Sequence, residues 1–184
     1  MKNVYVVGFM GAGKDTVADY LIKKYGLVSA RFASHLYSIA TNYLGMKSKD
    51  RLLLQTIGND IGREMIDKNI WVNRLCQDID IAQKTAEKLN LQIPNYINSD
   101  TRYLNEHMTL KNAGWIGIYV DSDIEIRKKR LINRDGYAQE EYFNHPSEIS
   151  INEFNKDLYT VSNNGTLEDL YKEVDIFIKK YLTG

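Results

Sequence analysis

The sequence predicts an α/β fold: a five-stranded, mainly parallel sheet with helices on both faces. Three observations predict it. Short apolar runs rich in β-branched residues recur along the chain, stretches of 3.6-residue periodicity separate them, and the first run passes through a glycine-rich turn directly into a helix. The 184 residues, 43% of them hydrophobic, suffice for a single domain, 1–184, with a substantial core.

Taken in order, Val4 to Val7 read as a buried strand and Gly8 to Gly13 as a loop. Lys14 opens an amphipathic helix with Val17, Ala18, Leu21, Ile22 and Tyr25 at helical spacing, which Gly26 is suited to end. A short second strand is expected near Leu27 to Phe32. The stretch 34–89 reads as a helical insertion, with Leu36, Ile39, Ala40 and Tyr43 on one face and Val72, Leu75, Cys76, Ile79, Ala82, Ala86 and Leu89 on another. Ile93 to Asn98 forms a third strand starting at Pro94, Trp115 to Val120 a fourth and Leu158 to Val161 a fifth. Thr166 is placed to cap the last helix, whose apolar stripe runs Leu167, Leu170, Tyr171, Val174, Phe177, Ile178.

Charge and cysteine content narrow the function classes. The 24 basic residues balance 24 acidic ones, so no global field favours nucleic acid or a membrane surface. Cys76 is the single cysteine, which excludes an internal disulfide and disfavours a zinc cluster; His35, His107 and His145 are isolated, without ligand spacing. No apolar run approaches the ~20 residues of a membrane span, and the amino terminus enters the first strand directly. The expectation is a cytoplasmic protein, monomer or homodimer, that takes a small molecule rather than nucleic acid or membrane.

The chemistry begins at GFMGAGKD. Gly8, Met10, Gly11, Ala12 and Gly13 can turn backbone N–H groups toward phosphate oxygens, the helix tip adds its positive dipole end, and Lys14 adds an ammonium. This is the G-x-x-x-x-G-K pattern of a P-loop, and the expected fold is the three-layer P-loop NTPase fold. Asp15 stands where a Ser or Thr hydroxyl would bind Mg²⁺, with Thr16 next to it; both are candidates for the metal. Ligands of open α/β sheets bind at the carboxyl ends of the strands. That places Arg31, Asp100 to Arg102, Asp121 to Arg134 and Asn163 to Gly165 near the same ligand. Asp100 suits a Walker-B-like role toward Mg²⁺, and Arg102 a bidentate grip on a second phosphate. Arg127, Arg130 and Arg134 share a helical face and could close over phosphates as part of a lid, 123–152. In the insertion, Gln55, Asn59, Arg63 and Trp71 could supply base contacts, a phosphate contact and an aromatic wall.

Together GAGKDTVADYL, LQTIGNDIGREMIDKNIWVNRL, SDTRYLNEHMTLKNAGW, HPSE at Ser147 and NNGTLEDLY resemble the deoxynucleoside monophosphate kinases of bacteriophages, in the P-loop nucleoside-monophosphate kinase group. The resemblance implies ATP on the P-loop with Mg²⁺, a nucleoside or deoxynucleoside monophosphate under the insertion, and adenine near Asn163, Asn164 and Gly165. A phage origin would place the protein in the host cytoplasm. Two other readings stay open: a P-loop kinase of a hydroxyl, resembling dephospho-coenzyme A kinase, with Asp100 or Asp15 as base, and a regulator that binds ATP without transferring phosphate.

Overall fold

Strand β1 (Val4–Val7) leads into α1 (Lys14–Tyr25) and then β2 (Val28–Ser29). There follow α2 (Ala33–Asn42), α3 (Arg51–Gln55), a π-helical segment Thr56–Ile66 and α4 (Ile70–Lys88). The chain returns through β3 (Tyr96–Asn98), α5 (Leu104–Asn112), β4 (Ile116–Asp121) and α6 (Ile124–Asp135). It then continues through α7 (Pro146–Ile149), two 3₁₀ turns, β5 (Tyr159–Ser162) and α8 (Leu167–Tyr181). This computed structural model describes residues 2–136 and 143–181. It divides into two compact units, Met1–Ser29 with Asn95–Gly184, and Ala30–Pro94.

The first unit is built on one sheet in the order β2-β3-β1-β4-β5, with every pairing parallel. Val4 lies opposite both Ile97 and Ile116, and Val120 opposite Val161. Side chains alternate along a strand, so Val4, Val6, Ile118 and Val120 pack with Val17, Ala18 and Leu21 of α1 and with Leu170, Val174, Phe177 and Ile178 of α8. Tyr5 turns to the other face, toward α5, where Gly117 makes room: a Cβ there would come within 2.6 Å of the Tyr5 hydroxyl. Helices on both faces complete a three-layer α/β fold.

Several element bounds differ from expectation. Strand β2 keeps two residues of the expected six, because it is an edge strand with Val28 44% exposed and the chain turns into α2 by Ala33. Strand β3 starts at Tyr96 rather than Pro94, which has no N–H for the ladder. Thr166 forms the expected cap reciprocally: its Oγ1 accepts from Asp169 N at 3.2 Å, and Asp169 Oδ2 accepts from Thr166 N at 3.2 Å. Leu167, in the first turn of α8, is exposed rather than part of the buried stripe.

On the α5 face, the Tyr5 hydroxyl and His107 Nδ1 share a hydrogen bond of 3.0 Å, and the imidazole stacks on Phe154 at 4.6 Å between centroids. Burial holds the Tyr5 phenol above its ordinary range and His107 below its own. The unfolded chain gains a proton near pH 6.5 that the native state refuses until its lower value is reached. Stability should therefore fall as pH drops through that window, by at most about 1.4 kcal/mol per pH unit. Urea melts at pH 7.5 and 5.5 check this: the pH-dependent loss should shrink in His107→Leu, whatever that substitution costs at pH 7.5.

The second unit carries its own small core. Trp71, Val72, Leu75, Ile79 and Ala86 of α4 are buried, whereas Ala82 and Leu89 are exposed and Cys76 is half-buried. Tyr43, expected on the α2 face, is 81% exposed, because it is the C-cap residue where the chain leaves the helix. Among the described residues no helix is long and apolar enough to cross a membrane.

Candidate phosphate-binding site

The loop between β1 and α1 has the backbone that an anion cradle requires. Gly11 and Gly13 lie at φ +79° and +101°, a region closed to most L-residues, and a Cβ on Gly11 would approach the Arg127 carbonyl to 2.9 Å. Gly13 is the N-cap of α1, so its amide and that of Lys14 stand at the positive end of the helix. Two amides of the expected cradle are engaged within the protein. Ala12 N–H donates to the Phe9 carbonyl at 3.0 Å, tightening the turn, and Met10 N–H donates to Glu148 Oε2 at 2.6 Å.

Lys14 lies across its own loop, its Nζ donating to the carbonyls of Gly8 at 2.7 Å and Phe9 at 3.2 Å. Burial, then the nearby Arg102 guanidinium, pull its pKa down to about 8, with Glu148 and Asp15 opposing. The ammonium is therefore poorly neutralised, which is the condition under which an incoming polyanion gains most.

The turn after β3 presents Asp100 and Arg102, and Asn98 builds it. The Asn98 Oδ1 accepts from Asp100 N, Thr101 N and Thr101 Oγ1 at 3.1, 3.0 and 2.8 Å, while its Nδ2 donates to Asp100 Oδ1 at 2.8 Å. Glu106 then accepts from the amides of Arg102 and Tyr103 at 2.9 and 3.1 Å. Asp15 is linked to the same connection through Ser99 Oγ at 3.2 Å. The Arg102 guanidinium donates to Glu148 Oε1 at 3.1 Å, so one carboxylate, only 1% exposed, holds both the P-loop and this arginine. Sequence reasoning singled out neither Asn98 nor Glu148. The HPSE segment was the only signal for the latter.

The α6 arginines do not act as one set. Arg127 is 8% exposed, its Nε donating to the Ser122 carbonyl at 3.0 Å and its guanidinium lying 4.8 Å over the Phe9 ring. Arg130 donates to Ser122 Oγ at 3.1 Å and to the carbonyl and Oδ1 of Asn163 at 2.9 and 3.2 Å. Arg134 forms two hydrogen bonds with Asp135, at 2.9 and 2.7 Å. Arg127 and Arg130 therefore brace the base of the loop instead of hanging over it. Asn163, expected beside adenine, is also a brace, with Nδ2 donating to the Ala12 carbonyl at 2.7 Å. Asn164 pairs with Asp123 through bonds of 2.8 and 3.1 Å, and Gly165 precedes the α8 cap. Residues 137–142 of the expected lid lie outside the described residues.

No family model matches the chain. It is 29% identical over 174 residues to the uncharacterised protein ORF77 of Ictalurid herpesvirus 1 (strain Auburn), covering 93% of this chain and 68% of that protein. It is 24% identical over 203 residues to an Acanthamoeba polyphaga mimivirus protein provisionally named a deoxynucleotide monophosphate kinase, covering 95% and 94%. The solved structure of a sugar kinase from Janibacter superposes with TM-score 0.59 at 16% identity, covering 100% of this chain and 95% of that one. The chain shares the three-layer α/β fold of that structure.

The remaining expected residues belong to the second unit. Arg31 follows β2, and its carbonyl accepts from Ser34 N at 3.2 Å. Gln55 is exposed, and Asn59 Nδ2 donates to Glu64 Oε1 at 2.8 Å. Arg63 and Trp71 donate to the same carbonyl, that of Gly58, at 2.9 and 2.8 Å. Trp71 is 5% exposed and packs on Gly62, so it is a core residue of its unit rather than an open aromatic wall. Among the described residues no cluster of three or more His, Cys, Asp or Glu is arranged to hold a metal by itself.

Proposed function

We propose that the protein transfers the γ-phosphoryl group of ATP to the 5′-phosphate of a nucleoside or deoxynucleoside monophosphate, giving ADP and a diphosphate. The observation that carries this reading is the pairing of two anion-holding groups, the P-loop with Lys14 and the guanidinium of Arg102, through one buried carboxylate. The name of the mimivirus relative supports a monophosphate acceptor. A small cytoplasmic enzyme acting as monomer or homodimer accords with it, in the host cytoplasm if phage-encoded.

The reaction asks little covalent chemistry of the protein. A phosphate monoester has a second pKa of about 6, so near pH 7 the acceptor already offers a nucleophilic oxygen and needs no base. Lys14 leaves the Gly8 and Phe9 carbonyls to offset charge on the transferring group, and the amides at the head of α1 hold the donor phosphates. Arg102 aligns the acceptor. Arg127, Arg130 and Asn163 keep the loop in shape. Hard oxygen donors of Asp15, Thr16 and Asp100 suit Mg²⁺, which in nucleotide sites needs one or two carboxylates because phosphates complete its shell. When bound there, Mg²⁺ would neutralise phosphate charge.

A coupled ADP-release assay over ribo- and deoxyribonucleoside monophosphates and dephospho-coenzyme A tests the proposal. Acceptor-dependent ADP with at least one monophosphate is expected. ADP formation with a hydroxyl acceptor alone, or tight ATP binding without any acceptor-dependent ADP, would replace it with one of the other two readings.

A further inference from the structure

Glu148, only 1% exposed, is a buried charged group of the first unit that phosphate chemistry leaves unassigned. It sits on α7, a four-residue helix started by Pro146 and by His145, whose Nδ1 accepts from Ser147 N at 3.2 Å. Neither carboxylate oxygen is idle. Oε2 accepts the Met10 amide at 2.6 Å and Oε1 accepts Arg102 Nη1 at 3.1 Å. The first partner belongs to the loop that would hold the donor phosphates. The second is the guanidinium that would hold the acceptor phosphate. A negative charge beside two anion sites costs affinity for both, so its placement calls for a compensating gain.

We infer that Glu148 is a positioning residue for phosphoryl transfer, fixing the separation and orientation of the donor cradle and the acceptor arginine by bonding one partner in each. This rests on the kinase reading above. A guanidinium carries five N–H donors, and the bond to Glu148 uses one, which leaves a further edge for a bidentate grip on phosphate. With its remaining freedom removed by Glu148, that edge can present the acceptor oxygen in line with the γ-phosphorus instead of following the acceptor's own motion. Misalignment of about 1 Å costs roughly a hundredfold in rate, so the inference places the gain in turnover rather than in binding. The rival role for the same contacts is a stand-in anion that blocks the cradle until nucleotide displaces it.

The variants Glu148→Gln and Glu148→Asp separate these roles. Gln matches Glu in size but offers one oxygen and one NH₂, so either Met10 N–H or Arg102 faces a donor; Asp keeps the charge with a shorter reach. Steady-state kinetics with ATP and the best monophosphate, calorimetry of ATP binding and a thermal melt are measured for each beside the wild type. The expected result is a kcat lower by about a hundredfold in Glu148→Gln, with KM for both substrates changed by less than about threefold and a melt close to wild type. Partial recovery of kcat in Glu148→Asp is also expected. Unchanged kcat, or tighter ATP binding with faster turnover in Glu148→Gln, overturns the inference while leaving the kinase reading intact. If Glu148→Gln melts below the assay temperature, Glu148→Asp decides, a loss in KM alone counting against the inference. A wild type that phosphorylates no monophosphate removes the kinase reading and this inference with it.

Discussion

Lys14→Met abolishes acceptor-dependent ADP formation and flattens the pH dependence of stability above about pH 8. Both expectations come from the same ammonium. Its charge is the compact, mobile cation that can follow phosphate oxygens through the transition state, and removing one such electrostatic contact typically costs about 10²–10³-fold or more. In the ligand-free protein, burial and the Arg102 guanidinium hold its pKa near 8. The unfolded chain therefore binds a proton more readily than the native one, so the charged native lysine is destabilising at neutral pH. Wild-type stability should therefore rise as pH climbs from about 8 toward 10.5, a rise that Lys14→Met, without the titrating group, should lack. The lowered pKa also sets a pH limit. As pH rises through about 8, the free enzyme loses the ammonium, and kcat/KM of the wild type should fall on that limb. Lys14→Arg should not restore activity, because a planar fork cannot occupy the site of a point charge. A Lys14→Met protein that turns over normally would mean that the cradle is not where the donor phosphates sit.

Arg102→Ala loses acceptor turnover and stability together, and a second substitution should separate the two losses. The guanidinium is Glu148's partner at 3.1 Å, with Glu148 buried and the arginine side chain 36% exposed. Truncation leaves a buried carboxylate bonded to the Met10 amide alone, at a cost of about 1–3 kcal/mol. Arg102→Ala/Glu148→Gln removes that uncompensated charge, so it should melt nearer the wild type than Arg102→Ala does. Its kcat/KM for the monophosphate should nevertheless stay depressed by about 10²-fold or more, because no group remains to align the acceptor. ATP affinity should change little in either variant, since the P-loop amides and Lys14 are retained. Equal recovery of stability and turnover in the double variant would show that Arg102 serves only to neutralise Glu148.

The strand–loop–helix unit at the amino end was legible because it is local. Val4–Val7, Gly8–Gly13 and Lys14 onward are contiguous, and the strand and helix start fall where apolar periodicity and glycine placed them. The α8 cap was legible for the same reason: Thr166 and Asp169 are three residues apart and satisfy each other. The α6 arginines show where such reading stops. Spacing places Arg127, Arg130 and Arg134 on neighbouring turns, but nothing local says that Phe9, Ser122 and Asn163 will lie against the first two.

What the sequence by itself determined is the order of elements, the parallel sheet and the glycine-rich turn from β1 into α1, because periodicity and backbone freedom act over a few residues. Only the tertiary structure decided which groups meet in the site. Glu148 reaches Met10 from 138 positions away, and Asn163 reaches Ala12 from 151. Those contacts depend on how strands order themselves in the sheet, so a glutamate in a short helix and an asparagine after a strand carry no local mark of the loop they hold.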